Sequence, residues 1–287
     1  MDPEVDQWDR STTSMNKADS LLLERWELDS DPGEFIFRPY RPVYFFPVFY
    51  TDKLNLLPTT GNPDTSLTQP LEFDHNEAKF QLSFKTKLVN DLFDDNGDLW
   101  LAYTQTSRWQ VYSEAESRPF RETNHEPEFI LAWRTDYQLL GYTGRLLSLR
   151  FNHQSNGREE PLSRSWNRAI VTVGLERDDW VILFSPWWRV PESTSQDENP
   201  DIENYVGRAE LQVVHRRHNS LQLSARLRHS LKSGDDSRGS VQLDWSYACF
   251  DRLRCHAQLF HGYGESLIDY NHRSTALGLG VNLLEWF

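Results

Sequence analysis

The segment 151–168, FNHQSNGREEPLSRSWNR, holds side chains whose types could do covalent chemistry. His153 and Ser155 are two residues apart, and Asn167 follows after a polar stretch. A serine hydroxyl becomes a nucleophile when an imidazole accepts its proton, and a third group must orient that imidazole. Ser155, His153 and Asn167 could fill these roles, but a polar hairpin tip would contain the same residue types. The directions in which the three side chains point decide between the two interpretations.

Composition excludes several classes of protein. Only 38% of the 287 residues are hydrophobic, and no window offers the roughly 18 apolar residues that a spanning helix needs. The net charge of -13 disfavours a nucleic-acid partner. The 11 Trp, 11 Tyr and 16 Phe stand out against this low hydrophobicity. Such a combination is typical of a membrane β-barrel, which has a polar lumen and aromatic rims.

From residue 78 onward, apolar and polar residues alternate in one segment after another, as in strands with a single apolar face. The segment 35–50 adds a further strand, although its prolines weaken that prediction. The total is about twelve, and long connections alternate with short ones, as in outer-membrane barrels. The sequence therefore predicts an all-β fold, a twelve-stranded antiparallel transmembrane β-barrel. The alternative is a large soluble β-sandwich or a lipocalin-like barrel.

The barrel is expected to form a single domain over residues 34–287. Residues 1–33 are polar and irregular, and we expect a tail or a plug-like segment there. The opening MDPEVDQWDR lacks the apolar stretch of a signal peptide. If the protein is exported, this sequence is expected to be a mature form with an added Met.

The alternation also assigns a face to the candidate catalytic residues. Residues i and i+2 of a strand share a face, so His153 and Ser155 lie with Phe151 on the apolar, lipid-facing side. A turn centred on 159–161 places Asn167 opposite His153 on that same side, near the extracellular rim. Polar groups that face hydrocarbon need partners, and a neutral Asn costs less there than a charged Asp. The backbone N–H groups of Ser155 and Gly157 are candidate oxyanion donors.

The hairpin FNHQSNGREEPLSRSWNR closely resembles the active-site hairpin of bacterial outer membrane phospholipase A. The other stretches that carry the resemblance are YTQTSRWQ at 103–110, ESRPFRETNHEPE at 116–128, ENPDI at 198–202 and GYGESLIDYN at 262–271. It runs from about residue 78 to the end, with a weak match over residues 1–77. It implies a Gram-negative outer-membrane enzyme that hydrolyses acyl esters of phospholipids and lysophospholipids, with its active site at the extracellular leaflet.

The resemblance also implies roles for individual residues. Ser155 is the nucleophile, His153 the general base and Asn167 the residue that orients His153. Gln105 matches a family glutamine that supports the Asn.

Members of this family need calcium and are active as homodimers. The positions that hold calcium between subunits correspond here to Ser117, the backbone carbonyl of Arg158, and Ser163. A second calcium position, in the monomer, falls at Glu198 or Asp197, in a loop that looks longer than the usual family version. Calcium prefers oxygen ligands, including carbonyls and waters.

Two departures and one competing function remain open. His125 stands where the family commonly has Tyr, and we expect a loop residue there rather than a second base. Cys249 and Cys255 flank a short turn in diagonal positions, so two unpaired outward-facing residues are favoured over a disulfide. The competing function is a non-catalytic barrel, such as a small porin or adhesin, in which the His–Ser pair is incidental.

Overall fold

The computed structural model describes residues 20–30, 33–113, 119–193, 197–217, 220–250 and 253–287. These residues form one antiparallel sheet and one α-helix, α1, at Leu21–Trp26. The strands are β1 Phe37–Pro39, β2 Val43–Thr51, β3 Asn76–Val89, β4 Asp98–Trp109, β5 Phe120–Leu139, β6 Tyr142–Ser155, β7 Ser165–Arg177, β8 Trp180–Val190, β9 Ala209–Arg217, β10 Leu221–His229, β11 Gly239–Ala248, β12 Arg254–Tyr263 and β13 Arg273–Leu284. Short 3-10 turns lie at Pro63–Thr65, Ile202–Asn204 and Gly234–Asp236.

The sheet closes on itself because β3 pairs with both β2 and β4, and β13 pairs with β2. Both β1 and β2 pair with β3, through Phe37 with Thr86 and Tyr44 with Gln81. They therefore occupy one barrel position that is interrupted between Pro39 and Pro42, where prolines have no N–H to give to the sheet. The prediction of a closed twelve-stranded antiparallel barrel is confirmed, and the prolines account for the extra short strand.

The two faces of the barrel differ in polarity. On β6, Leu147 and Phe151 are exposed on the outside, whereas Ser148 and Asn152 are buried. Across the described strands, large exposed apolar side chains predominate at the outward positions and buried polar or charged ones at the inward positions. A polar lumen inside an apolar belt is the arrangement of a barrel that spans a lipid bilayer. None of the described helices is long and apolar enough to cross a bilayer.

Helix α1 packs inside the barrel. The Ser20 side chain accepts a hydrogen bond from Leu23 N and caps the helix, and Leu22 N donates to Glu176 Oε2 at 3.1 Å. Leu22, Leu23 and Trp26 are buried in one cluster with strand residues such as Trp100. This part of the predicted tail is thus a plug-like segment rather than a free tail. Residues 1–19 and 31–32 lie outside the described residues.

Cys249 and Cys255 form a disulfide, with an S–S distance of 2.22 Å and a Cα–Cα distance of 5.7 Å. The prediction that they are unpaired was wrong. Because Tyr247 is the register partner of Cys255, Cys249 is indeed diagonal to it. It lies beyond the end of β11 at Ala248, however, where the chain is no longer held at ladder spacing. The Cα atoms therefore come within the range that a disulfide requires.

The long connections between strands emerge at one rim of the barrel and the short turns at the other, because successive strands alternate in direction. The long ones cover 52–75, 110–119, 156–164, 191–208, 230–238 and 264–272. The connection from β6 to β7, residues 156–164, joins the strand ends that carry His153, Ser155 and Asn167. These residues consequently lie at the rim of the long loops.

Candidate active site

Strands β6 and β7 place the three candidate catalytic residues on the outer surface. The register pairs His153 with Asn167 and Ser155 with Ser165, as a turn centred on residue 160 requires. His153 is exposed and Ser155 and Asn167 are half-buried, whereas the alternate residue Asn152 is buried in the lumen. The structure therefore brings the predicted residues together on the predicted lipid-facing side.

A hydrogen bond joins His153 Nδ1 to Asn167 Oδ1 at 2.8 Å. The amide nitrogen of Asn167 donates in turn to Glu192 Oε1 at 3.0 Å. An ionised carboxylate can only accept, so the Asn167 NH₂ must face Glu192 and its oxygen must face the imidazole. His153 Nδ1 then carries the proton, and Nε2 is left as the nitrogen that can accept one.

Ser155 ends β6 beside this pair. Its register partners are His125 in β5 and Ser165 in β7. Within the described residues, neither the Ser155 hydroxyl nor His153 Nε2 has a hydrogen-bond partner. Nucleophile and base are often loosely arranged before substrate binds. Both groups are thus free to engage each other on the same face of the strand.

The start of the 156–164 connection is held by Asn156, whose side chain is buried. Its Oδ1 accepts from Arg158 N at 3.3 Å and Arg164 N at 3.0 Å, and its Nδ2 donates to Leu162 O at 2.8 Å. Gly157 follows with φ +59, a conformation that glycine adopts without strain. In the described part of the chain the Gly157 N–H has no acceptor. It is therefore available to an oxyanion that develops beside Ser155.

Gln105 does not support Asn167 in this structure, so that prediction was wrong. Its Oε1 accepts from Tyr103 OH at 3.3 Å, and its Nε2 donates to Ser107 Oγ at 3.1 Å. The physical reason is topological, because β5 and β6 separate the β4 residue Gln105 from the β7 residue Asn167. Glu192, rather than Gln105, accepts the hydrogen bond from the Asn167 amide. Sequence reasoning missed it because Glu192 lies after β8, where no strand alternation predicts its position.

His125 lies within β5 rather than in a loop, which corrects the expectation for this residue. It is paired in register with both Gln105 and Ser155. Its Nδ1 is hydrogen-bonded to Tyr103 OH at 2.6 Å. A Cβ built on Gly157 would lie 3.5 Å from His125 Cδ2, so the imidazole forms one wall of the space around Ser155.

Two of the three residues predicted to hold calcium between subunits lie in the 156–164 connection, and Ser117 lies outside the described residues. Arg158 is exposed and Ser163 half-buried. In the described residues the Arg158 carbonyl and the Ser163 hydroxyl have no hydrogen-bond partner. These uncommitted neutral oxygens fit a hard cation that completes its shell with water. The described residues contain no group of three or more His, Cys, Asp or Glu suited to a metal.

The second predicted calcium position, at Glu198 or Asp197, has both carboxylates bonded to neighbouring groups of the protein. Asp197 Oδ1 accepts from Arg189 Nη2 at 2.6 Å and from Asn199 N at 3.1 Å, so its charge is neutralised by an ion pair. Glu198 Oε2 accepts instead from Ser165 Oγ at 3.3 Å. In the described structure the two carboxylates thus serve to fix the 191–208 loop against β7 and β8.

Comparison with known proteins gives the family. The phospholipase A1 family model matches residues 22–283, so the similarity begins well before residue 78, where the sequence resemblance was placed. A putative phospholipase A1 of Neisseria meningitidis serogroup B is 36% identical over 250 residues, which cover 85% of this chain but 64% of that protein. The chain thus spans less than two thirds of that relative's length. A phospholipase A1 of Klebsiella pneumoniae is 41% identical over 212 residues, 74% of this chain and 72% of that protein.

Solved structures agree with these relatives. The outer membrane phospholipase of Salmonella typhi, crystallised as a dimer with bound calcium, superimposes with a TM-score of 0.79 at 33% identity over 92% of this chain and 98% of that one. An active-site mutant of outer membrane phospholipase A from Escherichia coli, in which an asparagine is replaced by alanine, gives a TM-score of 0.77 at 34% identity over 91% and 96%. Fold and sequence agree, and the chain belongs to the bacterial outer membrane phospholipase A family.

Proposed function

We propose that this protein is a calcium-dependent phospholipase that hydrolyses acyl esters of phospholipids, with A1, A2 and lysophospholipase activity, through a Ser155–His153–Asn167 triad. The observation that carries the proposal is the His153–Asn167 hydrogen bond at 2.8 Å beside Ser155. All three side chains face the surface that lipid covers. A hydrophilic chain of hydrogen-bonding groups on such a surface is costly unless it has a use.

In the proposed reaction, Ser155 Oγ attacks the ester carbonyl carbon while His153 Nε2 accepts the hydroxyl proton. The Gly157 N–H, and with it the Ser155 N–H, donates to the oxyanion of the tetrahedral intermediate. The carbon–oxygen bond to the glycerol then breaks, and the imidazolium returns its proton to that leaving oxygen. Water attacks the acyl-serine by the same route in reverse, which releases a fatty acid and restores Ser155.

The outer wall beside Ser155 suits the acyl chains of a substrate. Phe129 and Phe151 are register partners, and each is 55% exposed on the outside of the barrel. Leu147 continues this surface toward the other rim. A phospholipid in the outer leaflet could lie against these rings with its ester at the level of Ser155. This placement supports an active site at the extracellular leaflet.

The residues that would hold calcium are Arg158, through its carbonyl, and Ser163, together with Ser117. When bound there, calcium would supply positive charge that polarises the ester carbonyl. The calcium-containing Salmonella typhi dimer at 33% identity supports both this ion and a homodimeric active form. Oxygen ligands from two subunits would explain why one chain offers so few.

The test is Ser155→Ala in detergent micelles with calcium, with release of fatty acid from a phospholipid as the measurement. We expect kcat to fall by about 10³-fold or more, because removal of the nucleophile leaves only binding and oxyanion stabilisation. Ser237→Ala is the control, since Ser237 is a serine in another long loop, 230–238, and it should retain activity. Unchanged hydrolysis by Ser155→Ala would favour the non-catalytic barrel instead.

A further inference from the structure

We propose that Glu192 is a positioning residue that acts on catalysis through Asn167 and extends the triad by one carboxylate. The inference rests on the proposed function, because it assigns Glu192 a role in the same reaction. Its basis is geometric. Asn167 Oδ1 is bonded to His153 at 2.8 Å and Asn167 Nδ2 to Glu192 Oε1 at 3.0 Å, so the three side chains form one continuous chain.

Glu192 fixes which way the Asn167 amide points. An isolated asparagine amide can flip, which would turn its NH₂ toward His153 and remove the acceptor from Nδ1. With the carboxylate on the far side, a flipped amide would set two oxygens against each other. Glu192 therefore selects the orientation that holds the proton on Nδ1 and leaves Nε2 free for the Ser155 proton.

The surrounding charges leave the Glu192 carboxylate available for this role. On β8, Arg189 makes its short contact with Asp197 at 2.6 Å, whereas its distance to Glu192 Oε2 is 3.9 Å. Burial, reinforced by the neighbouring carboxylates of Asp197 and Glu198, raises the pKa of Glu192 above its ordinary value. Arg189 and the hydrogen bond from Asn167 oppose this shift, because both favour the ionised carboxylate.

This arrangement moves the charge away from lipid. Val190 ends β8, so Glu192 lies in the loop at the rim, whereas Asn167 lies within β7. A charge at the membrane interior is costly, and a neutral amide costs less. The carboxylate of Glu192, at the end of this hydrogen-bonded series, therefore lies nearer to water than Asn167 does. From there its charge can still favour the imidazolium that forms during the reaction.

The experiment is a double-mutant cycle of Glu192→Ala and Asn167→Ala, with kcat and KM measured in micelles with calcium. Glu192→Ala alone should lower kcat about tenfold with little change in KM. In the Asn167→Ala background the same substitution should change kcat less than twofold, because residues that act as a unit are not additive. Glu203→Ala is the control. Glu203 is paired with Arg208 in the same 191–208 loop, and its loss should leave kcat unchanged.

Glu192→Gln separates charge from shape, because its amide oxygen can still accept from Asn167. A negative charge favours imidazolium, and base catalysis needs neutral imidazole. The acid limb of the kcat–pH profile should therefore move to lower pH in Glu192→Gln, and kcat on the plateau should fall severalfold. A merely structural role of Glu192 would not move this limb.

The outcomes separate the inference from the proposed function. Full additivity of the two alanine substitutions, or an acid limb that does not move in Glu192→Gln, would overturn the role of Glu192 while Ser155→Ala remains inactive. Activity that survives in Ser155→Ala would overturn the proposed function itself. The folded fraction of each variant, read from its resistance to unfolding in sodium dodecyl sulfate at room temperature, identifies any loss that comes from misfolding.

Discussion

In the proposed triad, Asn167 takes the position where hydrolases in water usually have a carboxylate. Its surroundings explain the choice, because its register partner Val190 and the neighbouring pair Ala169 and Trp188 belong to the apolar outer surface, and Trp188 is 61% exposed. A charge there would face hydrocarbon. A neutral amide can orient His153 at lower cost, and we expect it to stabilise the imidazolium less than a carboxylate would.

Asn156 is the residue on which the shape of the loop beside Ser155 depends. Replacing it by Ala removes the bonds from its side chain to the backbone of Arg158, Leu162 and Arg164. Buried groups left without partners cost about 1–3 kcal/mol, and this cost falls on the loop rather than on the strands. We expect at least a tenfold lower kcat with little change in the urea midpoint of the barrel.

Asn271→Ala is the matched control for this variant. Asn271 is an asparagine in another long loop, and its Nδ2 makes one bond, to Thr59 O at 2.8 Å, in an exposed position. Its loss should change neither activity nor stability. Wild-type kcat in Asn156→Ala would show that the hydrogen bonds of Asn156 do not set the geometry around Ser155.

At the scale of strands and loops, local periodicity predicts faces well and turns poorly. The positions of His153 and Asn167 follow from alternation and a turn centre, both of which are local in sequence. The Cys249–Cys255 disulfide and the Asn167–Glu192 bond involve residues beyond strand ends. There the backbone leaves the ladder, so neither side-chain direction nor Cα spacing follows from the pattern.

The face assignment of β6 and β7 predicts which positions contact lipid. Spin labels on cysteines at 149 and 171 should be broadened by a lipid-soluble relaxation agent such as oxygen, because these positions are register partners on the outer surface. Labels at 150 and 172 should not be, because the Arg150 and Thr172 side chains are hydrogen-bonded to each other at 3.0 Å in the lumen. Equal accessibility at all four positions, or the opposite pattern, would contradict the orientation of the hairpin.

On the scale of the whole molecule, polar networks and helix α1 occupy much of the lumen, and the outer surface is apolar. Glu265 accepts from Lys79 and Arg108 inside the barrel, and Arg121 lies 3.8 Å away. Although burial alone would raise it, these cations hold the pKa of Glu265 well below its ordinary value. Such a network, together with α1, occupies much of the interior. We therefore expect the proposed lipid substrate and any second copy to approach the apolar belt.

Calcium removal tests the proposed link between ion, dimer and activity. Excess chelator should abolish fatty-acid release and convert the dimer to monomer in sedimentation experiments, because the proposed ligands Arg158 and Ser163 would share the ion with the partner subunit. Ser163→Ala should need about tenfold more calcium for half-maximal activity if a hydroxyl ligand is replaced by water, an effect of roughly 1.4 kcal/mol. Ser237→Ala, in another long loop, should keep the wild-type calcium requirement. A chelated protein that stays fully active as a monomer would show that the shared calcium site is wrong for this chain, whatever the outcome at Ser155.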